Sequence, residues 1–549
     1  MGKATSILAQ HGYTTQATAD DGVVAKSKEG ELRMIKICEV SSSKCEEVKA
    51  EIQTLIGINH PNIVKYRETF QDGDHHYIVM DHCQGGNLAE RIKKRGSTQK
   101  FQEDEILNWI VQICMALKCL HEGSLHHENL MPERILLKEF ETVCLGDLVK
   151  FVRRTDIKSR PSERAICYSS PETLACGIYD AKSDIWSVGC VLYELCMLES
   201  AFTAENTVRL IPKIVNGPYP SLPGDFSPEL CQLLNDIFQK EPFLRPTATE
   251  ILGRPFIITF LSRKLKSTIE KLPSSLVELG TLADGLEKLH QGTTIGSLTG
   301  GVIGAAGGIT SIVGLILSPF TLGASLVVTG VGIGVAVTGG ATAGISNITN
   351  MVNQSSDRQA IRSIVQEFDE RMSFVVTCLQ VINEGLEMLK QHGDCPESEE
   401  GNNDSLKRSK LFANVGKGLG GIGELVRLIQ VVRLGKIAAQ TAKVLRVAEV
   451  ATGVLATLFL AIDVFFIAMD AKEIHHIREA QAENVTHEGS TSRLQLMEEE
   501  FDDEGASHTD TKTERIKSET MKFVYKIRQT VQHLQGVVNE LNEVVALIP

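Results

Sequence analysis

Much is missing from this chain of 549 residues. It has no positive surplus: 56 Lys and Arg stand against 69 Asp and Glu, and the formal net charge of −13 argues against general nucleic-acid binding. None of the 13 cysteines lies in a C-x-x-C pair. That excludes the usual disulfide framework and suits reduced thiols in a cytosolic setting, mostly as small buried hydrophobes. No apolar run follows Met1, so no ordinary signal peptide is expected, and the predicted location is cytoplasmic and membrane-associated rather than secreted. Finally, no Asp, Glu, Lys or Arg occurs between Lys288 and Asp357.

Two apolar stretches fill that uncharged gap, roughly Ile295–Leu317 and Leu322–Ile348, broken by Ser318-Pro319-Phe320-Thr321. Each is long enough to cross a bilayer core of about 30 Å as a helix. Gly296, Gly300, Gly304 and Gly308 fall at G-x-x-x-G spacing, which Gly330/Gly334 and Gly340/Gly344 repeat. Such faces let helices approach closely in lipid, whereas so much glycine weakens a helix in water. Two readings stand: a membrane-competent hairpin turning at Pro319, or a hairpin buried in a soluble helical bundle. The apolar run Val450–Met469 is interrupted by Asp463 and reads as a costly membrane span or a buried core helix. Before it, Arg427, Arg433, Lys436, Lys443 and Arg446 mark a basic amphipathic helix, suited to an anionic membrane surface or a solvated face. Heptad spacing runs from Ile361 to Leu389 and from Val524 to Ile548, predicting helices that pair within the chain or oligomerise. At the other end, Met1-Gly2-Lys3-Ala4-Thr5-Ser6 fits the myristoylation pattern on Gly2. One acyl chain holds a membrane only marginally, so a second contact is needed.

The chemistry sits earlier. "CLHEGSLHHENLMPERILL" contains His127-Glu128-Asn129-Leu130-Met131-Pro132-Glu133-Arg134. "YIVMDHCQGGNL" reads as a strand leading to a hinge, "INHPNIVKY" precedes it, "SPE" closes a loop, and "KSDIWSVGCVLYEL" and "RPTATEIL" follow. In that order, over roughly Tyr13 to Ile257, these resemble a protein kinase of the Nek branch. The resemblance implies a two-lobed α+β fold with structural anchors at Glu172, Asp184 and Arg245. It also implies a nucleotide site at Gly22, Val24, Lys36, Glu51, Met80 and Cys83, with Asp147 as both nucleotide contact and metal ligand. Lys36 and Glu51 are the expected ion pair of the upper lobe.

Set beside the family's H-R-D-L-K-P-E-N loop, the working parts have changed. Asn129 stands where an Asp would accept the substrate proton, and loss of a general base costs about 10²–10⁴ in rate. Met131 replaces the lysine that steadies the transferred phosphate. Arg134 replaces a metal-binding Asn; a cation there repels metal and could pair directly with a phosphate. Ala165 replaces a Thr that bonds the catalytic groups. The glycine loop reads Ala17-Thr18-Ala19-Asp20-Asp21-Gly22-Val23-Val24, with only Gly22 kept and two acids where a triphosphate would lie. Asp147 survives in Asp-Leu-Val rather than Asp-Phe-Gly. Glu128 replaces the arginine that would bind a phosphorylated activation segment, and that segment is itself basic: Lys150, Arg153, Arg154, Lys158, Arg160 and Arg164. Either Glu128 latches one of these or they form a solvated loop. The pattern is that of a pseudokinase, with ATP as its expected ligand and Mg²⁺ weak or absent.

From roughly Ser267 to Pro549, "LPSSLVELGTLADGLEKLHQGTTIGSLTGG", the "SPFTLGASLVV" turn and the heptad helix after it resemble the apolipoprotein L family. That resemblance implies an all-α domain that binds lipid, with residues 295–348 as its insertion element. The expected plan is an N-terminal segment 1–12, a kinase-like domain 13–258, a linker 259–275 and a helical domain 276–549. Within the last lie the hairpin 295–348, a heptad helix 357–391, a linker 393–408, basic and apolar helices 409–480, an acidic linker 481–511 and a heptad helix 512–548. The expected function is a nucleotide- or protein-responsive switch for a lipid- and membrane-binding domain that permeabilises membranes. Its partners are lipid and a protein bound through the kinase-like part, not nucleic acid. The rival readings are an active ATP-dependent Ser/Thr kinase with displaced catalytic groups, and a lipid carrier using the kinase fold for docking.

Overall fold

The computed structural model describes residues 2–297 apart from short stretches, the longest being 150–162; it then describes 361–385, most of 451–465, and 519–546. The chain divides into two compact units, Met1–Ser267 with Ser373–Ala442 and Val544–Pro549, and Thr268–Met372 with Lys443–Glu543.

The first unit opens with helix α1 (Gly2–Gln10) and an antiparallel sheet of β1 (Thr14–Ala19), β2 (Gly22–Lys26), β3 (Leu32–Glu39), β4 (Tyr66–Asp72) and β5 (His75–Asp81), in the order β1-β2-β3-β5-β4. Helix α1 seats Ile7 and Leu8 in a cluster with Tyr13, Ala25, Ile35, Tyr77 and Val79. The alternation of side chains along each strand supplies that face. The His11 ring stacks on Phe70 at 3.8 Å. Helix α2 (Cys45–Gly57) buries Val48, Ile52 and Leu55, the three- and four-residue spacing of one helical face.

Helix α3 (Leu88–Arg95) and helix α4 (Glu103–Glu122) begin the lower lobe; α4 is buried on most of its circumference. After it come β6 (Ile135–Leu137) and β7 (Val143–Leu145), then α5 (Glu163–Ile166), α6 (Pro171–Cys176) and α7 (Ala181–Met197). Asp180 caps α7, accepting from the Lys182 and Ser183 amides, and fixes where this nearly all-buried helix starts. The remaining helices of the lobe are α8 (Thr207–Asn216), α9 (Pro228–Ile237) and α10 (Ala248–Leu252).

One buried ion pair locks the lobe. Arg245 is fully buried and uses all its N–H groups: Glu172 accepts two at 2.7 and 2.8 Å, and the carbonyls of Gln239, Lys182 and Lys240 accept the rest. Its guanidinium carbon lies 4.9 Å from the Trp186 ring centre. Burial pushes the Glu172 carboxyl up, but bonds from Arg245 and Ser170 and the Arg245 charge bring it below its usual value.

Residues 259–275, expected as a linker, are helical except for a turn at Glu270 and Lys271. They belong to α11 (Pro255–Ile269) and the start of α12 (Leu272–Ser297). The polar "KSTIEKLPSS" hid a continuous apolar stripe: Ile258, Leu261, Leu265, Ile269, Leu272, Leu276 and Leu279 are all buried. The first heptad segment is helical over 361–385, with Ile361, Val365, Phe368, Met372, Val375, Leu379 and Ile382 at most 2% exposed. The last is helical over Glu519–Val545. Within the second unit, Arg528 of that helix bonds Asp284 of α12 at 2.6 Å, and Phe465 stacks on Phe523 at 4.4 Å.

Within the first unit, the end of helix 361–385 packs on the lower lobe. Lys118 of α4 holds Glu384 at 3.1 Å, and a Cβ on Gly385 would sit 2.9 Å from Ile258 and 3.4 Å from the Gly253 backbone. The kinase-like unit therefore takes in more chain than residues 13–258.

Among the described residues, no helix is long and apolar enough to cross a membrane. Gly296 lies in α12, while Gly300, Gly304, Gly308, Pro319, Gly330, Gly334, Gly340 and Gly344 lie outside the described residues, as do the expected linkers 393–408 and 481–511. Gly2 begins α1.

Acid should weaken the first unit in a defined window. Burial, then the charges of Lys118 and Lys138, push the His60 imidazole from 6.5 down to about 4. Folded His60 stays neutral while the unfolded chain takes up a proton, so stability falls from pH 6.5 towards pH 4. Glu172 adds a further loss as pH drops through its lowered value. The urea midpoint measured against pH should fall across the 6.5-to-4 interval, and His60→Gln should flatten that slope.

Candidate active site: a carboxylate clasped between two cations

The site is built on a buried carboxylate. Asp184, on the first turn of α7, is fully buried and accepts from the backbone amides of His127 at 2.9 Å and Glu128 at 3.1 Å. The His121 ring Nε2 lies 2.9 Å from it, and the Tyr179 hydroxyl donates to it. Burial would raise its pKa; the His121 bond, the charges of His127 and His121 and the Tyr179 bond outweigh that and lower it, keeping the carboxylate ionised. The loop is thus held by its backbone, whatever side chains it displays. Glu128 adopts φ 63° at this turn.

The displayed side chains meet at Asp147. Lys36 Nζ of β3 lies 2.8 Å from Asp147 Oδ1. Arg134 Nε lies 3.3 Å from Oδ2, an ion pair whose N–H is not aimed at the oxygen. Asn129 Nδ2 donates to the same Oδ2 at 3.5 Å. Asp147, 9% exposed with φ 57°, is clasped from three sides.

This corrects the expected Lys36–Glu51 pair: Lys36 is committed to Asp147. Physically, a half-enclosed carboxylate draws in the nearest cations. Glu51 lines a cavity of about 80 Å³ with Thr54, Leu55, Leu120, Leu125, His126 and Leu148. Leu148 is 3% exposed, and its amide donates to the Tyr66 hydroxyl at 3.1 Å.

A magnesium ion does not fit these residues. Both Asp147 oxygens already have partners, and the second ligand position carries a guanidinium. A divalent ion about 5 Å from one positive charge is repelled by about 7 kcal/mol at an effective dielectric of about 20.

The other predicted residues fall around the cleft. Met131 is buried at 7% exposure, an apolar side chain where a phosphate-steadying cation was expected. Gly22 is required by packing: a Cβ there would lie 2.4 Å from the Ile35 carbonyl and 3.2 Å from the Lys36 Cα. Its retention follows from the approach of β2 to β3, independent of any phosphate. Val24 pairs with Met34 across that same edge, and Met80 is buried beside it in β5. Cys83, just past β5, contacts Cys144, and that contact and burial push its thiol well above the usual range.

Of the six basic residues of the activation segment, only Arg164 is described. It bonds Glu133 and, at 2.9 Å, Glu194, rather than Glu128; the Tyr168 hydroxyl donates to Glu194 as well. Sequence reasoning missed this cluster. Its signal was Glu194, the one acid inside the apolar run "WSVGCVLYELCM". The proposed latches to Lys150, Arg153, Arg154, Lys158 and Arg160 lie outside the described residues.

A sheet-and-helix lobe over a helical lobe, with Lys36, Asp147 and the Asp184-held loop between, defines a protein kinase domain. Residues 21–257 match the protein kinase domain family, and residues 258–491 match the apolipoprotein L family. The chain therefore joins a Nek-like kinase domain to an apolipoprotein L domain. It is 40% identical to Serine/threonine-protein kinase Nek1 of Mus musculus over 228 residues, 41% of this chain and 19% of that protein. To Serine/threonine-protein kinase Nek5 of Mus musculus it is 36% identical over 236 residues, 42% of this chain and 37% of that protein. To Serine/threonine-protein kinase Nek11 of Homo sapiens it is 33% identical over 241 residues, 42% and 37% of the two chains. The chain thus spans well under half the length of these relatives.

The cavity beside Leu148 gives a direct check. Filling empty apolar volume is worth up to about 24 cal/mol per Å³, or about 2 kcal/mol for this cavity. Leu148→Phe should raise the melting temperature of the full chain; a fall would show that the space is too small for a ring.

Proposed function

We propose that this chain is a Nek-like pseudokinase module controlling an apolipoprotein-L-like, lipid- and membrane-binding domain. The observation that carries the first half is the clasp on Asp147. A kinase needs that carboxylate to hold metal, a base to accept the substrate proton, and cations to steady the phosphoryl group. Here Asp147 holds Lys36 and Arg134, an amide fills the base position, and buried Met131 replaces a cation. What remains is a scaffold for protein contacts, with ATP as an expected ligand that makes little or no use of magnesium.

The second half rests on the apolipoprotein L match and on the uncharged stretch between Lys288 and Asp357, with Gly2 acylation as the second anchor. The docking of helix 361–385 on α4 through Lys118 and Glu384 supports a physical connection by which the kinase-like part restrains membrane-active sequence. Permeabilisation of membranes is then the released state.

Two experiments test this. The full chain, incubated with labelled ATP and Mg²⁺ or Mn²⁺, should transfer no phosphate beyond a Lys36→Ala control; transfer lost in that control would establish an active kinase. The full chain should bind anionic liposomes, and Lys118→Glu, which sets like charges against Glu384, should increase dye leakage several-fold. Lipid extraction without leakage would favour a carrier, and no liposome binding by either protein would sink the membrane reading.

A further inference from the structure

Two arginines of the lower lobe sit on carboxylates, and they are held differently. Arg245 is fully buried with every donor in use. Arg164, in α5, is 40% exposed. Its Nε donates to Glu133, its Nη2 to Glu194 at 2.9 Å and its Nη1 to the Ser200 hydroxyl at 3.4 Å. A guanidinium has five N–H groups, so Arg164 leaves part of its capacity unused. The acceptors beneath it are fixed. Glu194 of α7 is 6% exposed and also accepts from the Tyr168 hydroxyl. Burial and the Glu194 charge push the Tyr168 phenol up, so it stays a donor. The Tyr168 carbonyl is itself pinned by the Ser187 hydroxyl at 2.8 Å. Among the described residues, the Glu133 Oε2 atom is buried and has no hydrogen-bond partner.

We infer that Glu133 and Glu194 form a guanidinium site that the chain closes with its own Arg164, and that an arginine of a partner protein opens by taking Arg164's place. This rests on the reading that the kinase-like part is a scaffold for protein contacts. A carboxylate as buried as Glu194 needs a cation beside it, because a buried pair that loses one member keeps an uncompensated charge. The apolar run around it, "WSVGCVLYELCM", holds no basic residue. The cation comes instead from α5, an element of four residues. Apart from Arg164, the side-chain tie of α5 to the lobe is Glu163, which accepts from the exposed Thr207 hydroxyl at 3.1 Å. A short element and a solvent-facing guanidinium make Arg164 the exchangeable member, over a floor that stays put. Replacing one guanidinium by another leaves the charge on that floor unchanged. The unmet Glu133 oxygen gives the incoming group an acceptor that Arg164 does not use. A planar fork spans two carboxylates on different elements, which the point charge of a lysine does not. Glu133 and Arg134 share one turn, so the exchange takes place one residue from the clasp on Asp147.

The test uses the full chain. Arg164→Ala should lower the melting temperature, and millimolar methylguanidinium should restore it, whereas sodium chloride at equal ionic strength should not. Adding Glu194→Gln to that variant should abolish the restoration. A fluorescent peptide carrying one arginine should bind Arg164→Ala more tightly than wild type by about tenfold or more, the scale of a hydrogen bond to a charged group. The same peptide with citrulline, which keeps the shape and loses the charge, should show no such difference. Arg164→Gln, which keeps most of the length and removes the charge, should also bind the arginine peptide more tightly than wild type. In wild type saturated with the arginine peptide, amide hydrogen exchange over residues 163–167 should quicken. No restoration by methylguanidinium, equal binding of the arginine peptide by wild type and both variants, equal binding of the arginine and citrulline peptides, or unchanged exchange would each overturn the inference. Any of these leaves the non-catalytic reading intact, because that reading rests on Asp147; phosphate transfer to protein would defeat it separately.

Discussion

Both oxygens of the Asp147 carboxylate are engaged by the protein's own side chains, one by Lys36 from the sheet and the other by Arg134 and Asn129 from the lower lobe. That arrangement reaches across the cleft. In a working kinase the corresponding bridge between lobes passes through metal and phosphate; here a lysine, a carboxylate and a guanidinium make it directly. The cost of gathering like charges is met by the carboxylate between them, and removing any one member would leave the others poorly compensated in a half-buried place.

A second carboxylate makes the first arrangement tolerable. Asp184 fixes the backbone at His127 and Glu128 and takes no interest in the side chains that follow. The positions that would do chemistry were therefore able to change to Asn129, Met131 and Arg134 without loosening the loop. Arg245 and Glu172 play the corresponding part further down the lobe, with every guanidinium donor satisfied. Frame and chemistry are held by different residues.

The frame was easy to read because the ordered motifs carry the kinase resemblance, and Glu172–Arg245 appeared where that resemblance implied it. Pairings among cations were harder. Lys36 had two acids within reach of the family pattern, Glu51 and Asp147; the sequence does not rank their distances, and the fold sets Asp147 Oδ1 2.8 Å from its Nζ. Arg164 offered six-fold ambiguity along a basic loop, and its partners Glu133 and Glu194 come from elements distant in sequence. Gly22 was legible as a kept residue, but the reason for keeping it, the approach of the Ile35 carbonyl, needed the sheet register. The helical character of 259–269 and 272–275, on either side of a turn at Glu270 and Lys271, was masked by the polar residues among them.

Gly385 has a consequence for how this protein can be divided. The family boundary falls between residues 257 and 258, yet Ile258 and Gly253 lie against Gly385, and buried Cys378 is one helical stretch before it. A protease cut or gene fusion at that boundary would strip a helix from the lower lobe and leave an apolar scar where it had been. The two families named in this chain are consequently not its two separable pieces: the packing at Gly385 and Glu384 crosses the boundary between them.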